Sequence, residues 1–230
     1  MFSFKRLFIL LFALGFSASA VFAQQTVEHS YLRESIELMI IRETARSQSR
    51  EQKLIALEYI GEIVGRDGDN TNPEVRQTLD FLSREGLSSV TRENNRVINN
   101  YPDIRRRAAR YLGQIKTPES KDVLIEIARS EVEPSVLQEV FRSLGEIGIN
   151  NNNETIDMIV WVMNSFNRTN PDNLMALAAI DAFEKIADAN NGIVSRGAVQ
   201  LLDTIINGSY VTPVKERARQ FQSKLRSYGR

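Results

Sequence analysis

"YPDIRRRAARYLGQI", residues 101–115, decides the fold. Ile104, Ala108, Leu112 and Ile115 recur at steps of four, four and three, which gathers them into one stripe on a helix. Pro102 stands at the helix start, where its missing N–H leaves no hydrogen bond unmade. Arg106 and Arg110, four apart, lie opposite the stripe; Arg107 lies on a flank and Arg105 borders the stripe. The segment is either a basic patch for phosphates or one packed helix with a charged outer face, and the rest of the chain has to choose.

The same ladder recurs. Val136, Val140, Leu144 and Ile147 form a second copy, and Met175, Ala179, Phe183 and Ile186 a third. Leu-Gly in "RYLGQI" has counterparts in "RSLGEI" (142–147) and, as Ile-Gly, in "EYIGEI" (58–63). The glycines Gly61, Gly113 and Gly145 are followed by weaker copies with Glu184 and Ser223 in the glycine slot. Between these helices lie partners at 30–47, 73–86, 118–130, 154–166 and 193–208, separated by turns rich in Asn, Gly, Asp and Pro. The chain reads as five antiparallel helix pairs. No stretch alternates with period two, so no strand is expected. Residues 86–101 are too long for a simple turn and read as a polar loop, functional or a disordered spacer.

"YPDIRRRAARYLGQI" resembles the second helix of a HEAT repeat, in particular the short bacterial variety. Pro102, Asp103, Ile104, Arg105, Ala108, Ala109, Leu112, Gly113 and Ile115 carry the resemblance; "EPSVLQEVFRSLGEIG" (133–148) matches at its ends but lacks the arginine and the alanine pair. The resemblance implies an all-α solenoid of about five helix pairs, with first helices convex and second helices concave. It also implies structural, inter-repeat roles for Asp103 and Arg105, the arginine pairing with an acid of a neighbouring repeat. The packing argument is independent: one amphipathic pair cannot hide its own stripe, whereas stacked neighbours can.

Register then addresses the arginines. Positions equivalent to Arg110 are Glu58, Arg142, Asp181 and Gln220; those equivalent to Gln114 are Glu62, Glu146, Lys185 and Lys224. The exposed stripe alternates in sign, whereas a nucleic-acid track would be positive from end to end. The concave candidates for binding another protein or peptide are therefore Glu58, Glu62, Arg106, Arg110, Arg142, Glu146, Asp181 and Lys185, with Arg106, Arg110 and Arg142 the group for an acidic partner. Trp161 points away from the apolar face of its helix, either as a convex anchor for a partner or covered by a neighbouring element.

The first 23 residues read as a cleaved signal peptide: Lys5 and Arg6, the apolar run 7–16, then Val21 and Ala23 before the expected cut. Residues 24–230 are then a single solenoid domain, exported, most simply to a periplasm, and not membrane-embedded. Without Lys5 and Arg6, 27 basic side chains face 29 acidic ones, which does not suit a nucleic-acid binder. There is no cysteine, and His29 is the only histidine, so thiol chemistry, a His-based metal site and a Ser-His-Asp relay have no residues to use. No Gly-rich phosphate loop occurs, and no cofactor is expected. Some HEAT-like proteins act as chromophore lyases on phycobiliproteins; the export signal and the missing catalytic constellation set that activity aside. The expectation is a non-catalytic interaction scaffold or adaptor of the bacterial cell envelope, not an enzyme. The alternative is an enzyme or enzyme accessory that works on envelope polymers through concave carboxylates.

Overall fold

A computed structural model of the chain describes residues 34–68, 71–88, 90–167 and 171–228. The leader expected at 1–23, and His29, lie outside the described residues. Helical residues 34–46 (α1) are followed by α2 (Arg50–Asp67) and α3 (Pro73–Ser83), then by two short strands, β1 (Arg92–Glu93) and β2 (Arg96–Val97). The rest is helical: α4 (Pro102–Ile115), α5 (Pro118–Ser130), α6 (Pro134–Ile147), α7 (Glu154–Asn167), α8 (Asn173–Ala189), α9 (Arg196–Asn207) and α10 (Thr212–Leu225).

Local chemistry sets the helix bounds. Pro73, Pro102, Pro118, Pro134 and Pro213 all sit in a first turn. Asn72, Thr117, Asp172 and Ser195 accept hydrogen bonds from first-turn N–H groups of their helices. The Ser195 cap explains why α9 begins at Arg196 rather than at 193. Gly148 closes α6 in the left-handed region, its N–H donating to the Leu144 carbonyl.

The helices form two layers in tandem order. The even helices α2, α4, α6, α8 and α10 pack each on the next, and so do α3, α5, α7 and α9. Within a repeat, α3 packs on α4, α5 on α6, α7 on α8 and α9 on α10. The all-α solenoid is thus the fold. The expected stripes are its seam: Ile104, Ala108, Leu112, Val136, Val140, Leu144, Met175, Ala179, Phe183 and Ile186 are fully buried in one continuous core. The glycine slot explains the close fit of the even layer. A Cβ on Gly113 would stand 2.6 Å from Ser143 Cβ, and one on Gly145 would stand 2.8 Å from Ala182 Cα.

One expectation fails between α3 and α4: the chain has strands there. Arg92 faces Val97 and Glu93 faces Arg96 across an antiparallel hairpin. Asn94 and Asn95 make its turn at φ 47° and 67°, the left-handed geometry that suits a two-residue hairpin loop and that asparagine tolerates. Strands of two residues are too short to show alternation, which is why periodicity missed them. Below the hairpin, the buried Asn99 donates to Glu85 Oε1 (2.8 Å) and accepts from the Thr91 N–H (2.8 Å). Gly86, at φ 75°, lets Asn99 close over it; a Cβ there would meet the Asn99 carbonyl oxygen at 2.6 Å.

Candidate functional site

The outer surface of the even layer carries the charged positions picked out by register, and a ladder of ion pairs crosses it from repeat to repeat. Arg50 on α2 reaches Asp103 on α4, with Nη2 2.7 Å from Oδ2. Arg110 on α4 holds Glu139 on α6 with two bonds, 3.1 and 2.9 Å, and the nearly buried carboxylate raises the pKa of the Arg110 guanidinium. Arg142 stands 3.9 Å from the same carboxylate. Glu146 on α6 pairs with Lys185 on α8, and Lys116 stands 4.0 Å from Glu146. Asp181 accepts from Arg217 of α10 at 3.2 Å. Two carboxylates of α8 complete the last joint: Glu184 pairs with Arg217 and Lys224, and Asp188 with Lys224.

Two clefts lie between these pairs. One, of about 350 Å³, is lined by Arg50, Leu54, Asp103, Arg106, Arg107 and Arg110, at the α2/α4 joint. The other, of about 420 Å³, spans α4, α6 and α8 and takes in Arg110, Lys116, Glu139, Arg142, Glu146 and Lys185. They share Arg110. Arg106 and Arg110 thus line the first cleft and Arg110, Arg142, Glu146 and Lys185 the second, two adjoining clefts, together termed the groove, with Arg110 on the lining of both. Glu58 and Glu62 line neither cleft; they are exposed on α2 without an ion-pair partner among the described residues. Asp181 belongs to the α8/α10 joint. Trp161, 54% exposed on α7, lies in the other layer and takes no part in the groove.

Arg105 points the other way from its three neighbours, into the protein. Its Nε donates to Glu131 Oε2 (2.6 Å), Nη2 to Glu131 Oε1 (3.2 Å), and Nη1 to the Glu85 carbonyl (3.0 Å) and Asn100 Oδ1 (2.8 Å). Glu131 also accepts the Val132 and Glu133 N–H groups, both at 2.9 Å. This buried fork ties α4 to the turn before α6 and to the end of α3. A second buried pair lies nearby. Lys53 Nζ is 3.0 Å from Glu85 Oε2, donates to the Ala45 carbonyl (2.9 Å) and stands 5.3 Å above the centre of the Phe81 ring. Sequence reasoning missed Glu131, Glu139, Lys53 and Glu85. A carboxylate before a helix and an acid within "LQEV" carry no local sign that an arginine one repeat away will claim them.

The groove offers guanidinium and ammonium groups beside three partly neutralising carboxylates, Asp103, Glu139 and Glu146, with the apolar Leu54 on its lining at one end. Among the described residues no three His, Cys, Asp or Glu side chains are grouped to hold a metal ion, and no helix is long and apolar enough to cross a membrane.

The comparisons with known proteins follow this architecture. The HEAT repeats family matches residues 98–169, which take in α4 through α7. No curated protein matches the sequence. Among solved structures the chain is similar to the complex of CpcE and CpcF of phycocyanin lyase from Nostoc sp. PCC7120, with a TM-score of 0.57 and 15% identity over 84% of this chain and 67% of that one. At that identity the likeness is one of fold.

It nonetheless corrects the functional expectation. A non-catalytic scaffold of the cell envelope, and the judgement that the chain is not an enzyme, rested on the repeats, the expected export signal and the missing catalytic groups. The similar structure is that of a lyase, not of an envelope scaffold, so this architecture is compatible with a protein that does chemistry. The shortage of conventional motifs excludes nothing here, and the alternative on envelope polymers falls with the scaffold.

Proposed function

We propose that the protein recognises a protein partner along the groove of the even layer, between α2 and α8. The observation that carries this is that two adjoining clefts share Arg110 and are lined by side chains of successive repeats, from α2, α4, α6 and α8, on one layer. The HEAT-like repeats support it, since stacked helix pairs build extended binding surfaces. The phycocyanin lyase neighbour supports it as well, being a complex of two named components. A photo-crosslinking residue in place of Gln114, exposed on the groove wall, tests it against the same residue in place of Gln200, exposed on α9. A discrete crosslinked species is expected from position 114 alone; equal labelling from both positions, or none, removes the reading.

A second reading takes its support from the lyase neighbour: the docked protein is a substrate that leaves with a changed mass. Intact-mass measurement of the crosslink-identified partner, before and after incubation with the protein, tests it, and an unchanged mass counts against it. We further propose that the chain is exported, on the order of charge, apolar run and small residues in 1–23. Amino-terminal sequencing of the protein recovered from cells is expected to begin at Gln24; a chain that begins at Met1 overturns it.

A further inference from the structure

We infer that the α2/α4 end of the groove binds a short acidic stretch of the partner's chain, seated on Arg106 and Arg107. This rests on the docking reading above and gives that site its ligand chemistry. The inference comes from which cations are already satisfied. Arg50 is held by Asp103 and Arg110 by Glu139. Arg106 and Arg107, on the same cleft, have no ion-pair or hydrogen-bond partner among the described residues, although carboxylates claim neighbours on either side. Consecutive helix positions point about 100° apart. Even so, Arg106, exposed, and Arg107, half-buried, both line this cleft.

The shape of the charge selects the occupant. The cleft sets four arginines against the one carboxylate of Asp103, but on one side the even layer exposes Glu58 and Glu62 of α2, unpaired among the described residues, and on the other its cations are matched by carboxylates, Glu139 and Glu146 on α6 and Asp181, Glu184 and Asp188 on α8. A long polyanion such as a nucleic acid would run off the positive patch onto carboxylates; a segment of a few residues would not. Leu54, half-buried on the lining of the cleft, adds an apolar contact that an acidic peptide with an aliphatic residue can use and a bare phosphate cannot. A peptide carboxylate gives each guanidinium the two-point partner that Glu139 gives Arg110.

Fluorescence anisotropy with the full chain tests this, using a fluorescein-labelled Glu-Glu-Leu-Glu-Glu-Leu-Glu-Glu peptide, its Gln-for-Glu counterpart, and a dT oligonucleotide of similar length. The acidic peptide is expected to bind, weakening with added salt, and the Gln peptide is not. R106Q/R107Q is expected to weaken binding about tenfold, and R106E/R107E further. R129E, which removes an exposed arginine on α5, is expected to leave binding unchanged. Circular dichroism establishes that the variants keep the fold, and the Gln pair serves if the Glu pair does not. Equal binding by wild type and R106Q/R107Q, no binding of the acidic peptide at low salt, or tighter binding of the oligonucleotide overturns the inference. A crosslink from position 114 that persists beside a negative peptide result separates the two claims: docking stands and the acidic ligand falls.

Discussion

The joint between α4 and α6 and the joint between α8 and α10 occupy equivalent places in the solenoid and are held by different physics. At the first, a buried arginine fork on Glu131 and backbone-close contact at Gly113 do the holding. At the second, the glycine slot is filled by Glu184, and Ser223 follows in the next repeat. The rings of Phe183 and Phe221 meet at 6.5 Å, and the outer surface carries Arg217 and Lys224 against Asp181, Glu184 and Asp188. One joint is specified from inside, where water and salt do not reach. The other adds to its buried ring contact a set of part-exposed pairs that solvent competes for. A repeat architecture therefore fixes where helices lie without fixing what locks them.

The largest expected effect comes from breaking the inner lock. Arg105→Ala leaves Glu131 buried with its charge uncompensated and should cost about 3–5 kcal/mol of unfolding free energy, read by urea denaturation. Arg105→Met with Glu131→Leu removes both charges at similar volume and should recover part of that loss, the rest staying with the Val132 and Glu133 N–H groups, the Glu85 carbonyl and Asn100 Oδ1 that lose their partner. If the double variant is as unstable as the single, the fork is not a paired-charge lock, and the contrast between the joints dissolves.

Next come the glycines. Gly145→Ala places a methyl 2.8 Å from the Ala182 Cα, a backbone atom that cannot turn aside, and should destabilise by about 1–3 kcal/mol. Gly65→Ala on α2 meets nothing within 4 Å and should stabilise by up to about 1 kcal/mol through helix propensity. Thermal melts of the two variants measure both, and the opposite signs are the point: Gly145 is there for close approach and Gly65 is not.

These contrasts also show what a linear reading can and cannot see. The stripes on α4, α6 and α8 were legible because helical period and burial are the same fact expressed twice. First-turn prolines marked helix starts for the same local reason. The hairpin at 92–97 was not legible as strand, since two residues per strand carry no period. Arg110 could be placed on the outer face, but its partner Glu139 lies 29 residues on, and their meeting depends on the twist between repeats. Wheel position put Trp161 away from the apolar face of its helix but leaned toward cover by a neighbouring element; only the packed helices decide that it is exposed. Function was the least legible, because recognition surfaces of mixed charge have no motif, and the absence of motifs was given more weight than it can bear.

The smallest effect falls on the outer joint and has a sign fixed by its carboxylates. At Glu184, burial pushes the carboxyl pKa up, but hydrogen bonds from Lys224 and Arg217 outweigh it and leave it lowered. At Asp188, Lys224 and then Tyr228 lower it. A carboxyl group with a lowered folded pKa contributes stability that is complete above the unfolded value, near about 4, and is lost as pH falls through the folded value. Hydrogen exchange, corrected for intrinsic rate, should show α10 amides unchanged between neutral and mildly acid pH and losing protection below that range. Amides of α4 and α6 should hold theirs, and added salt at neutral pH should weaken α10 in the same way, since exposed pairs are screened. If α4 and α10 lose protection together on acidification, the solenoid opens as one unit, and its two joints, however differently built, are not separately adjustable.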